Sequence, residues 1–174
     1  MPNNQHINEV DQLIEKAGNL IDEKNYQSAI ESLKTVASNF EERIEVSPFL
    51  KMGLHSYFGL ANYHLDNLKL AVEHFDVALE IKEASENILF MRAKCHDYLN
   101  NFEQAKSDYE RVIELNPNAD CVHAFLGLLM ENEGYEDRAV KLYQEALKQD
   151  PTYDAIRERL ESILGKTKKG SELL

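Results

Sequence analysis

LGLLMENEGYEDRAVKLYQEALKQDP, residues 126–151, sets the reading of the whole chain. It runs as two apolar-periodic segments separated by Glu133-Gly134-Tyr135, and it closes on Asp150-Pro151, where a proline ends a helix and turns the chain. Within it, Gly127, Ala139, Tyr143 and Ala146 stand in a small, small, large, small order. The same order recurs upstream. Ala71, Ala105 and Ala139 lie 34 residues apart, each followed four residues later by an aromatic (Phe75, Tyr109, Tyr143) and three further on by Ala78, Val112 and Ala146. Twelve residues before the alanines stand Gly59, Ala93 and Gly127. A 34-residue period is the length of a helix-turn-helix repeat. Small side chains let two helices approach closely, and the aromatic is expected to fill the gap between one hairpin and the next.

A fourth, weaker copy precedes these, with Ala17, Ala29, Leu33 and Val36 at the matching places, but Ala29 lies 42 residues before Ala71. The surplus of eight is the segment 44–51, IEVSPFLK, in which Ser47 reads as a helix N-cap and Pro48 as a first helical residue. The helices on either side of it are expected to be about one turn longer. Asn116-Pro117 closes a repeat as Asp150-Pro151 does, whereas Glu83 takes that place in the copy before. After Pro151, apolar residues at 153, 156, 160, 163 and 164 mark one face of a capping helix.

These residues, and above all 126–151, resemble the tetratricopeptide repeat family over roughly residues 10–165. Two departures stand out: Lys16 replaces an apolar residue in the first copy, and Tyr135 sits one residue earlier than the usual turn aromatic. The resemblance implies an all-α, right-handed superhelix of four helix-turn-helix repeats with a C-terminal capping helix. The expected divisions are 1–9 as an extension, repeats at 10–43, 52–85, 86–119 and 120–151, an insertion at 44–51, the cap at 152–165 and a flexible tail at 166–174. Helices are predicted at 7–23, 26–44, 48–65, 68–82, 86–99, 102–115, 120–133, 136–149 and 152–164.

Composition agrees with this class and excludes others. Of 174 residues 43% are apolar, enough for a core, and only 7 Gly and 4 Pro punctuate the chain. A net charge of −12 repels phosphate backbones and anionic headgroups, so neither nucleic acid nor a membrane is an expected partner. No apolar run reaches 18 residues and the first residues lack an export pattern, so a cytoplasmic protein is expected.

Catalytic chemistry is not expected. No phosphate-binding glycine loop, GxSxG or HExxH occurs, and the six histidines form no i, i+4 pair on a helix. Cys95-His96 and Cys121 with His123 mimic zinc half-sites, but adjacent helical residues diverge by about 100°, so each pair chelates badly. Cys95 and Cys121 read as packing residues rather than nucleophiles. No metal, cofactor or enzymatic activity is therefore implied.

In the family, the first helix of each repeat forms a concave wall that grips partners. Carried over position by position, the resemblance places Tyr57, Leu60, Tyr63 and His64 on that wall from the second repeat, and Phe90, Met91, Lys94 and Tyr98 from the third. The fourth adds Phe125 and Leu128, and the first adds Asp11, Ile14, Glu15, Gly18, Ile21 and Asp22. The implied surface is an aromatic floor with an acidic rim. It suits a peptide or helix carrying large apolar anchors with basic flanks. Co-chaperones of the family that hold heat-shock-protein carboxylates need Lys, Asn and Arg at places where this chain has Ile14, Gly18, Tyr57, Asn87 and Met91, so that clamp is not expected. Two alternatives remain open: self-association through the same strip, and a role resembling the acidic chaperones of secreted proteins.

Overall fold

The computed structural model describes the backbone of residues 4–119 and 121–171, with side chains for 9–45, 47–119 and 121–165. Among the described residues there are ten helices and no strand. They fall into two compact units, residues 1–101 and 102–174.

The first unit holds α1 (Asn4–Asp22), α2 (Tyr26–Asn39), α3 (Glu41–Val46), α4 (Pro48–His64), α5 (Leu68–Ile81) and α6 (Glu86–Tyr98). Helix α1 pairs with α2 and α4 with α5 as antiparallel hairpins, while α1 and α6 both reach α4. The second unit holds α7 (Phe102–Leu115), α8 (Val122–Asn132), α9 (Glu136–Gln149) and α10 (Asp154–Ser171), each packed on the next.

The period seen in the sequence is printed in the turns. Lys24, Asp66, Asn100 and Gly134 take φ of 62°, 62°, 58° and 80°, each just beyond the end of α1, α4, α6 or α8. One residue on, the amides of Asn25, Asn67, Asn101 and Tyr135 donate back to the carbonyls of Leu20, Asn62, His96 and Met130 at 2.7–2.9 Å. A left-handed residue followed by this six-residue loop of hydrogen bonding satisfies the carbonyls a helix end leaves open. Asp, Asn and Gly tolerate that conformation, Lys less well. From each such turn a helix of 14 residues departs: α2, α5, α7 and α9.

Where the surplus of eight goes differs from the expectation. The helix beginning at Tyr26 stops at Asn39, in phase with the others, and does not lengthen. Phe40 breaks it with φ −129° and ψ 23°, and a separate short helix α3 follows. Phe40 and the buried Ile44 both pack against the core of this unit, so folding the segment back hides two apolar side chains that a straight continuation would not. Pro48 holds Ser47 extended, and the Ser47 hydroxyl accepts from the Leu50 amide at 3.4 Å, so α4 starts as read. Only α4 is longer, 17 residues against 13 in α6.

At the other end the expected cap ends at 164 but α10 continues helical to Ser171; the rest of the tail, 172–174, lies outside the described residues. Helix α8 begins at Val122 rather than 120, because Cys121 sits in the left-handed region at φ 62°.

The alternation of small and large residues has a direct steric meaning. A Cβ on Gly59 would stand 2.5 Å from the Phe75 ring, and one on Gly127 2.6 Å from the Tyr143 ring. The aromatic therefore presses on the glycine of its own hairpin rather than only filling space toward the next one. Phe75 and Tyr143 are fully buried there, together with Ala71, Ala78, Ala139 and Ala146. Burying a ring of this size contributes about 1.5–3 kcal/mol, which is why the sequence repeats it.

Candidate functional site

Helices α4 and α6 carry most of the side chains expected to face a partner, and the first unit brings them together. Tyr63 and Tyr98 tilt toward each other with ring centroids 6.2 Å apart. Tyr98 is 62% exposed, among the most open of the large apolar residues. His64 meets Tyr63 edge-on at 5.2 Å and stacks flat on Tyr26 of α2 at 4.5 Å. The Lys94 ammonium lies 4.9 Å from the centre of the Tyr63 ring and 5.8 Å from that of Phe90. A cation over an aromatic face is held by the ring quadrupole, so Lys94 draws these two rings into one cluster. Between Tyr63, His64, Asp66, Leu68 and Tyr98 opens a cleft of about 490 Å³.

Charge around the cluster follows from burial. Partial burial pushes the Asp97 carboxyl above the usual carboxylate range, and burial likewise lifts the Tyr63 phenol. For His64, burial first and the Lys94 charge second hold the imidazole below its ordinary value, so the ring is neutral at pH 7.

The other positions divide. Tyr57 and Leu60 are half-buried and pack against the core of the first unit. A Cβ on Gly18 would stand 2.8 Å from the Tyr57 ring, so this glycine makes room for the tyrosine between α1 and α4. Ile14, Gly18 and Ile21 are buried, which leaves Glu15 and Asp22 as the exposed wall residues of α1 and Asp11 half-buried. Met91 is half-buried on α6. In the second unit Phe125 stacks on Tyr109 at 6.3 Å and Leu128 is half-buried.

Two aromatic features escaped the sequence reading. Tyr26 joins the cluster from α2, and Phe102 stacks on the exposed Tyr135 at 6.0 Å in the second unit. The early placement of Tyr135 was the available sign of the latter. Of the two thiols expected to pack, Cys95 does so, fully buried with burial pushing it up to about 12, whereas Cys121 is exposed in the turn before α8. Among the described residues no group of three or more His, Cys, Asp or Glu side chains is placed to share a metal ion.

The repeat family is borne out by comparison with known proteins. Family models of the tetratricopeptide repeat match residues 87–119 and 122–153. The chain is a tetratricopeptide-repeat protein. It is similar to peptidyl-prolyl cis-trans isomerase FKBP4 of Homo sapiens, 28% identical over 93 residues, which is 53% of this chain and 20% of that protein. The chain thus spans about a fifth of the length of that curated relative. Among solved structures, YrrB, a TPR protein with an unusual peptide-binding site, superposes with a TM-score of 0.72 at 17% identity, over 90% of this chain and 76% of that one. The first TPR of Spaghetti (RPAP3) bound to the HSP90 peptide SRMEEVD gives 0.64 at 17% identity, over 67% and 93%. At such identities these structures show the shared all-α repeat fold. No described helix is long and apolar enough to cross a membrane.

Proposed function

We propose that this chain is a protein-binding adaptor that holds a partner segment against the α4–α6 face of its first unit. The observation that carries the reading is the Tyr63–Tyr98 pair. Tyr98 stands 62% open to solvent beside a cleft, although a ring of this size adds nothing to its own core from that position. Rigid aromatics that are half apolar and half polar serve well as anchors at interfaces. Phe90, Met91, Lys94 and His64 extend the same surface, and Phe125 and Leu128 are the candidates of the second unit.

The partner that fits is a peptide or helix with two or three large apolar anchors and basic residues beside them. Asp66 at the cleft and the exposed Glu15 and Asp22, within a chain of net charge −12, supply the complementary sign. That the same fold carries a peptide-binding site in YrrB and is bound to an HSP90 peptide in the Spaghetti domain supports a peptide ligand. A heat-shock carboxylate clamp is a poor match, since its places hold Ile14, Gly18, Tyr57, Asn87 and Met91, with Ile14 and Gly18 buried.

Affinity capture from native lysate, compared between the unaltered chain, Tyr98→Ala, Phe90→Ala and Phe49→Ala, an exposed residue at the far end of α4 from Tyr63, tests this. Loss of the same partners from the first two variants and their retention by Phe49→Ala is the expected result. Equal recovery by all four, with circular dichroism showing all folded, would remove the proposed face.

A further inference from the structure

Nδ1 of His55 on α4 lies 3.1 Å from Nδ1 of His74 on α5, across the hairpin of the second repeat. The two rings are inclined at 53° with centroids 5.1 Å apart, and Phe58 lies flat on His74 at 4.8 Å and 12°. Burial foremost, and after it the charge of Lys51 for His55 and of His55 for His74, holds both imidazoles below their ordinary value. Each is then neutral at pH 7 with one nitrogen lone pair, and on their own the two share a single N–H···N hydrogen bond.

Two neutral ring nitrogens that face each other at this distance also match a metal ion. With metal–nitrogen bonds of about 2.0–2.1 Å, nitrogens this far apart subtend about 100° at an ion between them, which lies between a square cis angle and a tetrahedral one. An ion in the plane of both rings at that angle separates their centroids by about 5 Å, as is found here. Imidazole nitrogen suits copper, nickel and zinc, whereas calcium and magnesium call for oxygen ligands.

The surroundings leave space beside the pair. A cavity of about 340 Å³ opens beside His55, lined also by Glu41, Glu45 and Ser38. Its walls come from α2, α3 and α4, and α3 overlaps the eight-residue surplus 44–51. Glu45 is held by Lys51 at 3.0 and 3.1 Å, so it is not a third fixed ligand, and of these two charges Lys51 acts on His55 the more strongly; the cavity's part is room for water.

We propose that His55 and His74 together bind one divalent transition-metal ion, Cu²⁺, Ni²⁺ or Zn²⁺, through their Nδ1 atoms, with water completing the coordination and the ion tying α4 to α5. On binding, the ring that carries its proton on Nδ1 passes it to solvent and takes one up on Nε2, so no net proton is released. The proposal is independent of the docking face on α4 and α6.

The test is calorimetric titration of the untagged full chain, freed of metal by a chelator and dialysed, with Cu²⁺, Ni²⁺ and Zn²⁺ salts in turn. One equivalent is expected to bind and to raise the melting temperature. His55→Gln and His74→Gln should each weaken binding at least about tenfold, and His96→Gln should leave it unchanged. For the case in which a variant unfolds, Cu²⁺ added to the unaltered chain should broaden the His55 and His74 ring resonances ahead of the other histidines. Absence of binding at millimolar metal, unchanged affinity in both folded variants, or broadening centred on other histidines would overturn the site.

Discussion

Lys24 occupies the left-handed turn position that Asp66, Asn100 and Gly134 occupy in the other copies, at φ 62°. A side chain with a Cβ is strained there by about 1–2 kcal/mol, and glycine relieves the strain at some cost from its freer unfolded chain. Lys24→Gly should therefore stabilise the protein by about 0.5–1 kcal/mol, read as a higher urea midpoint with an unchanged slope. The two thiols differ for a reason just as local. Burial raises Cys95 to about 12 and closes it to reagents, whereas Cys121 is exposed before α8. A disulfide reagent at pH 8 should label one thiol rapidly in the native chain and the second only at the rate of unfolding. Two fast thiols would contradict the packing around Cys95.

At the scale of elements, α10 owes its place to Ile156 and Ile163, both almost fully buried, on the face that packs on α9. Arg159 adds an ion pair to Glu131 at 3.0 Å, and the same carboxylate accepts from the Tyr143 hydroxyl at 2.5 Å. The Arg159 end of the pair is about half open to solvent and the pair contributes little, so burial of the two isoleucines decides. Ile163→Ala should cost about 2–4 kcal/mol in denaturant unfolding, while Arg159→Ala should cost less than about 1 kcal/mol. The apolar face of this helix was legible as a spacing of residues. The break at Phe40 was not, because EERIEV suits a helix and nothing local forbids continuing α2. Phe40 and Ile44 bend the chain because a core lies there to receive them.

The molecule as a whole carries −12, and a partner docking on the proposed aromatic face would do so inside that field. Steering by such a field is screened over about 10 Å at 0.1 M salt, whereas burial of apolar anchors is not. The affinity of a basic-flanked partner should weaken several-fold between roughly 50 and 500 mM salt, chiefly through a slower association rate, and Tyr98→Ala should act on the dissociation rate instead. A salt-independent association rate, measured by surface plasmon resonance, would mean that the acidic residues steer nothing.

Repetition in the sequence determined the helix type, the hairpins of α1 with α2, α4 with α5 and α8 with α9, and the residues pressed between them. Helix periodicity and close approach act over a few residues, and each copy states them again. Which of the inward residues stay open was settled by tertiary packing. The repeat assigns Tyr57 and Tyr98 alike to the inner face, yet the Tyr57 ring sinks against Gly18, a residue 39 positions away, while Tyr98 stays in water. His55 and His74 have no spacing that signals a pair, and only the crossing of α4 and α5 sets their nitrogens 3.1 Å apart. A sequence specifies the faces of its helices, but contacts between faces depend on where neighbouring helices stop and how closely small residues let them approach.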